Sequence, residues 1–338
     1  MINSVYQLTA PKNIEVKLEN IDLQSCELII KPLYMSLCHA DQRYYTGSRD
    51  AKILKKKLPM ALIHECCGEV VWDRDGKIGI GKKVILIPNI PGDMSEGTYE
   101  NYSKGATFLS SGKDGFMREY ISLEYGRVVE FENIDLELAS ISEFISIGVH
   151  AIDRFKKSIP LEKNEIGVWG DGSLAYVLAN LLKKEFPEKK IIVIGKNEDK
   201  LQHFSFVDET ILLNDLDSSF SIGHAFECVG GEGSNYAIDD IIKYIEPQGN
   251  VMLLGVSETK IFFNTRDVLE KGLTFIGCSR SGYNDFKKTV EYLQDKSLQM
   301  RFSVILHNAG EVSSIKDLQK VFELDLLTEF KTIFKWNL

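Results

Sequence analysis

The chain has no apolar run near the roughly 20 residues that a bilayer-spanning helix needs, so no membrane helix is expected among its 338 residues. It also lacks a basic excess. Forty Lys and Arg face 49 Asp and Glu, a formal net charge of −9, which leaves no evident surface for displacing counterions from a nucleic acid or an anionic membrane. The one short basic run, Lys55-Lys56-Lys57, reads as a solvated face. The opening "MINSVYQLTAPKN" lacks the basic, apolar and small-residue order of a signal peptide, and a cytoplasmic location is expected. Cysteine is sparse: six residues, at 26, 38, 66, 67, 228 and 278, are too scattered for a secreted disulfide framework. In a reducing compartment each is either core filler or a ligand. Internal repeats and low-complexity segments are missing, which removes solenoids from consideration. What is present, 44% hydrophobic and 26% charged residues, suits one large domain or two.

The two halves have different textures. Residues 1–148 read as short β-rich segments, "CELIIKPLYMS", "CGEVVWDRDG", "KKVILIPN" and "MREYISL", with no long helical periodicity before "LELASISEFISIGVHAIDRF". Over 149–280 short Val- and Ile-rich strands alternate with amphipathic helices, from "EIGVWG" to "LTFIGCS", which predicts βαβ units in a doubly wound parallel sheet. The fold class is α/β, with a β-rich first domain completed by residues 281–338.

The segment "GVWGDGSLA" ends a predicted strand and opens a predicted helix, the context in which G-x-G-x-x-A signals dinucleotide binding. Gly170 permits the tight turn, Gly172 admits a pyrophosphate to the backbone, and Ala175 allows close helix packing. The next strand ends in Gly195-Lys196 rather than a carboxylate, which favours NADPH, Lys196 pairing with the 2′-phosphate. "ECVGG" and "LLGVS", carrying Val229 and Gly255, end consecutive strands where a nicotinamide is expected. Glu198 and Asp199, just beyond Lys196, weigh the other way.

Three sequence-distant groups are possible metal ligands: Cys38, the pair His64-Glu65, and Glu143. One thiolate, one imidazole and one or two carboxylates would make a catalytic zinc shell with a position left open. Spacing alone shows no convergence, and buried thiols, a core histidine and surface carboxylates remain open. Cys66 and Cys67, beside the His64-Glu65 pair, alternate on a strand and point to opposite faces, so they read as packing residues.

Cys38 with Asp41, His64-Glu65 with Gly68, Glu143 before "SIGVHA" and the "GVWGDGSLA" loop occur in an order that resembles the zinc-dependent medium-chain dehydrogenase/reductases over essentially the whole chain. "CHADQRYYTGSRD", "LPMALIHE", "SSGKDGFMREY", "NTRDVLEKGLT", "SRSG" and "FKTIFKW" are most similar to the family's ribulose-5-phosphate reductase branch, which supplies ribitol 5-phosphate for CDP-ribitol and teichoic-acid-type polymers. The resemblance implies a GroES-like catalytic domain, a Rossmann domain, and zinc ligands Cys38, His64 and Glu143, with Glu65 neighbouring or exchanging. It implies NADPH-dependent reduction of ribulose 5-phosphate, a homodimer, and functional pairing with a ribitol-5-phosphate cytidylyltransferase. Residues 89–116 hold no cysteine, so no structural zinc is expected. Ala40 replaces the usual relay hydroxyl, which makes Tyr44 the first proton-delivery candidate. Arg43, Arg49, Arg118 and Arg280 form the pool for the substrate phosphate, since a planar guanidinium matches a phosphate. Two rivals are a polyol dehydrogenase on an unphosphorylated substrate and a non-catalytic dinucleotide-binding protein.

Overall fold

A computed structural model describes residues 1–158 and 163–338, which divide into two compact units: Met1–Ser146 with Arg280–Leu338, and Ile147–Ser279. Antiparallel pairing dominates the first unit. Its main sheet runs Val128–Glu130, Lys83–Leu86, Glu65–Asp73, Leu28–Ser36, Lys331–Trp336 and Leu306–Val312, with Ile121–Leu123 paired to Leu28–Ser36; only the last two strands of the order run parallel. Pro32 lies inside a strand, where its missing N–H would break the ladder. The register slips there, between Pro32 and Tyr34, so the gap falls at a bulge. The C-terminal strand therefore lies in the middle of the sheet, next to the strand that leads to Cys38. Leu28, Ile30, Met35, Cys66, Val70 and Phe334 share the buried face.

Two helices of seven residues follow the Leu28–Ser36 strand: α1, His39–Tyr45, and α2, Ala51–Lys57. Each spans about two turns, too short for an apolar stripe to stand out in sequence. Their ends are marked instead by caps. Cys38 and Asp41 close α1, and Asp50 accepts from the Lys52 N–H at the start of α2.

The second unit is a six-stranded parallel sheet ordered Glu209–Leu212, Lys190–Gly195, Glu165–Trp169, His224–Glu227, Asn250–Leu253 and Thr274–Gly277. The Lys190–Gly195 strand is buried at every position after Lys190 because helices cover both sheet faces. The strand order reverses between Glu165–Trp169 and His224–Glu227, so the loops after Trp169 and Glu227 sit side by side at the switch point of a doubly wound fold. Among the described residues no helix is long and apolar enough to cross a membrane.

Candidate active site

Cys38 is the N-cap of α1. Its Sγ accepts from the Ala40 N–H at 3.5 Å while Asp41 accepts from the Cys38 N–H at 3.3 Å, a reciprocal cap that fixes the sulfur at the helix start. His64 precedes the Glu65–Asp73 strand, and the residue ahead of it, Ile63, has φ +68°, a left-handed conformation that β-branched residues rarely adopt. Its N–H donates to Asp41 Oδ1 (3.0 Å) and its carbonyl accepts from the Phe116 N–H (2.7 Å), bonds that hold this strained bend.

Asp41, fully buried, organises the pair. Its Oδ1 also accepts from Ser110 Oγ at 2.9 Å, and its Oδ2 lies 3.6 Å from His64 Nδ1. Ser110 Oγ is 3.1 Å from the same Nδ1. A hydroxyl has one proton; having given it to Asp41, Ser110 accepts from His64 Nδ1–H, so Nε2 is the nitrogen turned toward Glu143 and becomes a ligand atom on giving up its proton. Burial would depress the His64 pKa, but the Asp41 carboxylate holds it well above its ordinary value. Burial acts upward on Asp41, and the imidazole beside it, together with the Ile63 N–H and the Ser110 hydroxyl, draws it down.

Glu65 is inaccessible to solvent. Its Oε1 accepts from Lys331 Nζ at 2.7 Å, and that ammonium also donates to the Leu37 carbonyl at 2.6 Å and lies 4.6 Å from the Phe144 ring centroid. Burial acts to lower Lys331, but Glu65, Cys38 and Asp325 together raise it and keep it charged. Glu143, at the start of the Ser142–Lys157 helix, has Oε2 4.0 Å from His64 Nε2, and burial pushes its carboxyl up to about 7.

Ligand atoms of Cys38, His64 and Glu65 all lie within 4.8 Å of one another. Glu65 Oε2 and Glu143 Oε2 are buried and accept no hydrogen bond from the described residues. Buried carboxylate oxygens without donors are costly, and a cation would satisfy both. The sulfur, nitrogen and oxygen donor set fits zinc.

Around this cluster the predicted cations separate. Arg280, itself at φ +60°, places its guanidinium 4.9 Å from the Phe108 ring, which meets His64 edge-on at 5.2 Å. Arg118 turns part of its guanidinium toward the fold. Its Nε and Nη2 donate to the Gly115 and Asp114 carbonyls at 2.8 and 2.7 Å, and its Nη1 lies 3.7 Å from Glu19 Oε1. Arg43 lies one turn from His39 on α1, where its charge helps to lower that imidazole's pKa after burial and Lys331. Tyr44 is 1% exposed, and its hydroxyl has no hydrogen-bond partner among the described residues. Arg49 stacks on its ring with the guanidinium carbon 4.2 Å from the centroid, and Lys57 Nζ is 5.8 Å from it. Lys57 is half-buried and donates to Ser111 Oγ at 3.1 Å, unlike the exposed Lys55 and Lys56, so the basic run is not uniformly solvated. Cys66 and Cys67 are both buried. Burial drives the Cys66 thiol well above its ordinary pKa and Cys67 up to about 12, and Cys67 Sγ is occupied by the Leu136 carbonyl.

In the second unit, Gly170 has φ +130°, and a Cβ there would lie 3.2 Å from the Cys228 carbonyl oxygen, so the turn demands glycine. Gly172 caps the Ser173–Glu185 helix with open space where a side chain would stand, and Ala175 is fully buried on that helix. Asp171 Oδ2 accepts from the Lys196 and Asn197 N–H groups at 2.7 and 2.8 Å, tying the glycine loop to the tip of the next strand. Lys196 Nζ lies 5.9 Å from the Tyr236 ring centroid. Glu227 accepts from the N–H groups of Val229, Gly230 and Gly255 and from Ser234 Oγ, all at 2.9–3.0 Å, which locks together the loops ending the fourth and fifth strands.

Comparison with known proteins agrees with this architecture. Residues 24–133 match the Alcohol dehydrogenase GroES-like domain. Ribulose-5-phosphate reductase 1 of Staphylococcus aureus is 49% identical over 99% of this chain and 99% of its own length. This chain belongs to the medium-chain alcohol dehydrogenase family, in its ribulose-5-phosphate reductase branch. The ribulose-5-phosphate reductase of Streptococcus pneumoniae is likewise 49% identical, covering 100% of this chain and 98% of that protein. The crystal structure of S. aureus TarJ in complex with NADPH superposes with a TM-score of 0.89 at 46% identity, covering 100% of both chains.

In this medium-chain dehydrogenase the structure groups Cys38, His64 and Glu65, the carboxylate expected only as a neighbouring or exchanging ligand, and leaves Glu143 Oε2 4.0 Å from His64 Nε2. Sequence reasoning missed three supporting residues. Ser110 and Lys331 are reached only through tertiary contact, 46 residues from His64 and 266 from Glu65. Asp171 sat inside the quoted glycine loop but was not recognised as its tether.

Proposed function

We infer that this chain reduces the C2 ketone of D-ribulose 5-phosphate to D-ribitol 5-phosphate with NADPH, using one zinc held by Cys38, His64, Glu143 and, as a neighbouring or exchanging ligand, Glu65. The observation that carries the reading is the Cys38, His64 and Glu65 cluster, with two donor-free buried carboxylate oxygens, in a chain 49% identical to ribulose-5-phosphate reductases. The chemistry supplied when both groups are bound is Lewis-acid polarisation of the ketone and hydride donation.

The chain's own residues prepare that chemistry. Asp41 and Ser110 orient His64 so that Nε2 faces the cluster, and outer-shell partners of this kind govern ligand basicity. Lys331 neutralises Glu65 inside the protein and holds one carboxylate oxygen, leaving the other for a ligand role. Ala40 has no hydroxyl to pass a proton on, whereas the partnerless phenol of Tyr44 is suited to donate one to the developing alkoxide. Arg280, beside Phe108 and within the field of Glu143, offers a cation near the reacting end. On the second unit Gly170, Gly172 and Ala175 form the pyrophosphate turn, Lys196 meets the 2′-phosphate, and Val229 and Gly255, held by Glu227, support the nicotinamide. The family resemblance supports a cytoplasmic homodimer whose product passes to a cytidylyltransferase.

The test is NADPH oxidation with ribulose 5-phosphate, ribulose and xylulose 5-phosphate as alternative ketoses. Turnover confined to ribulose 5-phosphate is expected. Equal rates on ribulose would refute the phosphorylated substrate, and tighter binding of NADH than NADPH would refute the role given to Lys196.

A further inference from the structure

The bend at Arg280 is held from both flanks. Arg280 sits at φ +60°, a left-handed conformation that glycine adopts freely and that a longer residue keeps only where its surroundings enforce it. On one flank Ser281, fully buried, meets Ser146 Oγ at 2.6 Å; Ser146 gives its own proton to the Glu143 carbonyl, so Ser281 is the donor. That bond ties the bend to the first turn of the Ser142–Lys157 helix. On the other flank the Tyr283 N–H donates to Glu100 Oε1 at 2.5 Å, and Glu100 takes both prongs of Arg127, whose Nη1 also reaches the Asn89 carbonyl at 3.0 Å. Asn89 pairs with Phe108 in a two-stranded ladder, so one ion pair fixes both the bend and the strand beside Phe108. Asp285 completes the frame, accepting from the Gly282 N–H at 2.8 Å and the Tyr99 hydroxyl at 2.9 Å.

Within this frame the guanidinium makes no hydrogen bond or ion pair among the described residues. It lies over the Phe108 ring, 4.9 Å from the centroid, and Glu143 acts on it only through its field. A half-buried fork of charged donors, aimed by a strained bend and left without an acceptor, is complementary to a phosphate dianion. We propose that Arg280 binds the phosphate of the sugar substrate, and that Glu100, Arg127, Ser146 and Ser281 are positioning residues that hold it there. The assignment rests on ribulose 5-phosphate being the substrate, as inferred above, and selects one arginine from the sequence-derived pool.

The reach matches the substrate. Separations of 4.9 Å from the guanidinium carbon to the Phe108 centroid and 5.2 Å from there to the His64 centroid place the cation no more than about 10 Å from the imidazole. An extended ribulose 5-phosphate has five single bonds of about 1.5 Å between C2 and phosphorus, a span of roughly 6 Å, and a charge-assisted contact of about 3 Å stays within that limit. Backbone amides at the bend do not compete for the anion. The Gly282 and Tyr283 N–H groups, which open the Tyr283–Leu293 helix, are already taken by Asp285 and Glu100. The phosphate therefore depends on the side chain.

The test uses the full-length zinc-loaded protein with ribulose 5-phosphate and ribulose as substrates and inorganic phosphate as a competitive inhibitor. Arg280→Gln is expected to raise KM for ribulose 5-phosphate on the order of 10- to 100-fold, the range of one lost charge-assisted hydrogen bond, with kcat held within about threefold. The inhibition constant for phosphate should rise in parallel, and KM for NADPH should change less than about twofold. Arg280→Gly removes the cation and relieves the left-handed strain, so it should lose the same affinity with a melting temperature no lower than wild type. Ser281→Ala keeps the guanidinium but frees one flank of the bend, and should raise the same KM by a smaller factor without moving KM for NADPH. Arg74→Gln, at an exposed pair with Asp75, should behave as wild type. If the wild-type protein reduces ribulose as efficiently as the phosphate ester, the substrate reading falls and this subsite with it. If the wild type discriminates and Arg280→Gln discriminates equally well, the subsite alone is refuted. A fall in kcat with KM unchanged would also overturn it, since Arg280 would then act at the reacting carbon.

Discussion

Replacing Asp41 with asparagine tests how the His64 geometry is held. The carboxylate accepts from the Ile63 N–H, Ser110 Oγ and the Cys38 N–H, and faces His64 Nδ1 at 3.6 Å. Asp41→Asn can keep an oxygen toward Ile63 and Ser110, but its amide NH2 then faces the Cys38 N–H and the His64 Nδ1–H. One acceptor is lost, two donors are opposed, and the negative charge that fixes the imidazole tautomer is gone. Outer-shell changes of this size cost about 10- to 100-fold in metal affinity, which corresponds to about 1.4 to 2.7 kcal/mol. The assay is competition for zinc between the protein and a chromophoric chelator, read alongside the far-ultraviolet circular dichroism melt. The expected result is weakened zinc affinity with a fold that still melts cooperatively. Unchanged zinc affinity in Asp41→Asn would refute the argument that Asp41 and Ser110 present Nε2 to the metal. Asp41→Ala, which strands the Ile63 N–H at a strained bend, should lower the melting temperature further.

Three other predictions follow from individual groups. Lys331→Met leaves the inaccessible Glu65 carboxylate without its partner and should destabilise the first unit by about 3 to 5 kcal/mol in denaturant titration; a cost below about 1 kcal/mol would show that the pair is not held as described. Cys66→Ala and Cys67→Ala should leave zinc content and turnover near wild type, with stability losses of about 1 kcal/mol each, while His64→Ala should abolish both zinc binding and turnover. His224, buried and accepting from the Asn250 N–H through Nδ1, has its pKa lowered by burial to about 4. Because the unfolded chain binds its proton near pH 6.5, stability should be complete above that pH and fall as the pH drops toward 4. His224→Phe should flatten that acid limb of the melting profile, and an unchanged limb would assign the acid sensitivity to other groups.

The second unit was legible in the sequence because its signal is local. Strands such as Lys190–Gly195 are continuous apolar runs, and the Ser173–Glu185 helix follows its glycine turn directly. The first unit was legible only as β-rich. Helices α1 and α2 have seven residues each and are held by Cys38 and Asp50 caps, so no period stood out, yet α1 carries Tyr44 and begins at Cys38. The candidate metal site was readable only through resemblance, since Cys38, His64 and Glu65 converge by tertiary folding and no local spacing encodes it. The same holds for Lys331, which the C-terminal strand brings to Glu65 by pairing next to Leu28–Ser36. Lys57 was misread for a related reason. Its two lysine neighbours are exposed, and only the turn at Ser111 distinguishes it.

The most direct test is a metal add-back. The protein is stripped with chelator, titrated with zinc, and followed by ribulose 5-phosphate-dependent NADPH oxidation. Activity should vanish on stripping and return linearly to a plateau at one zinc per chain, with no recovery in His64→Ala. Undiminished turnover in the zinc-free protein would contradict the account.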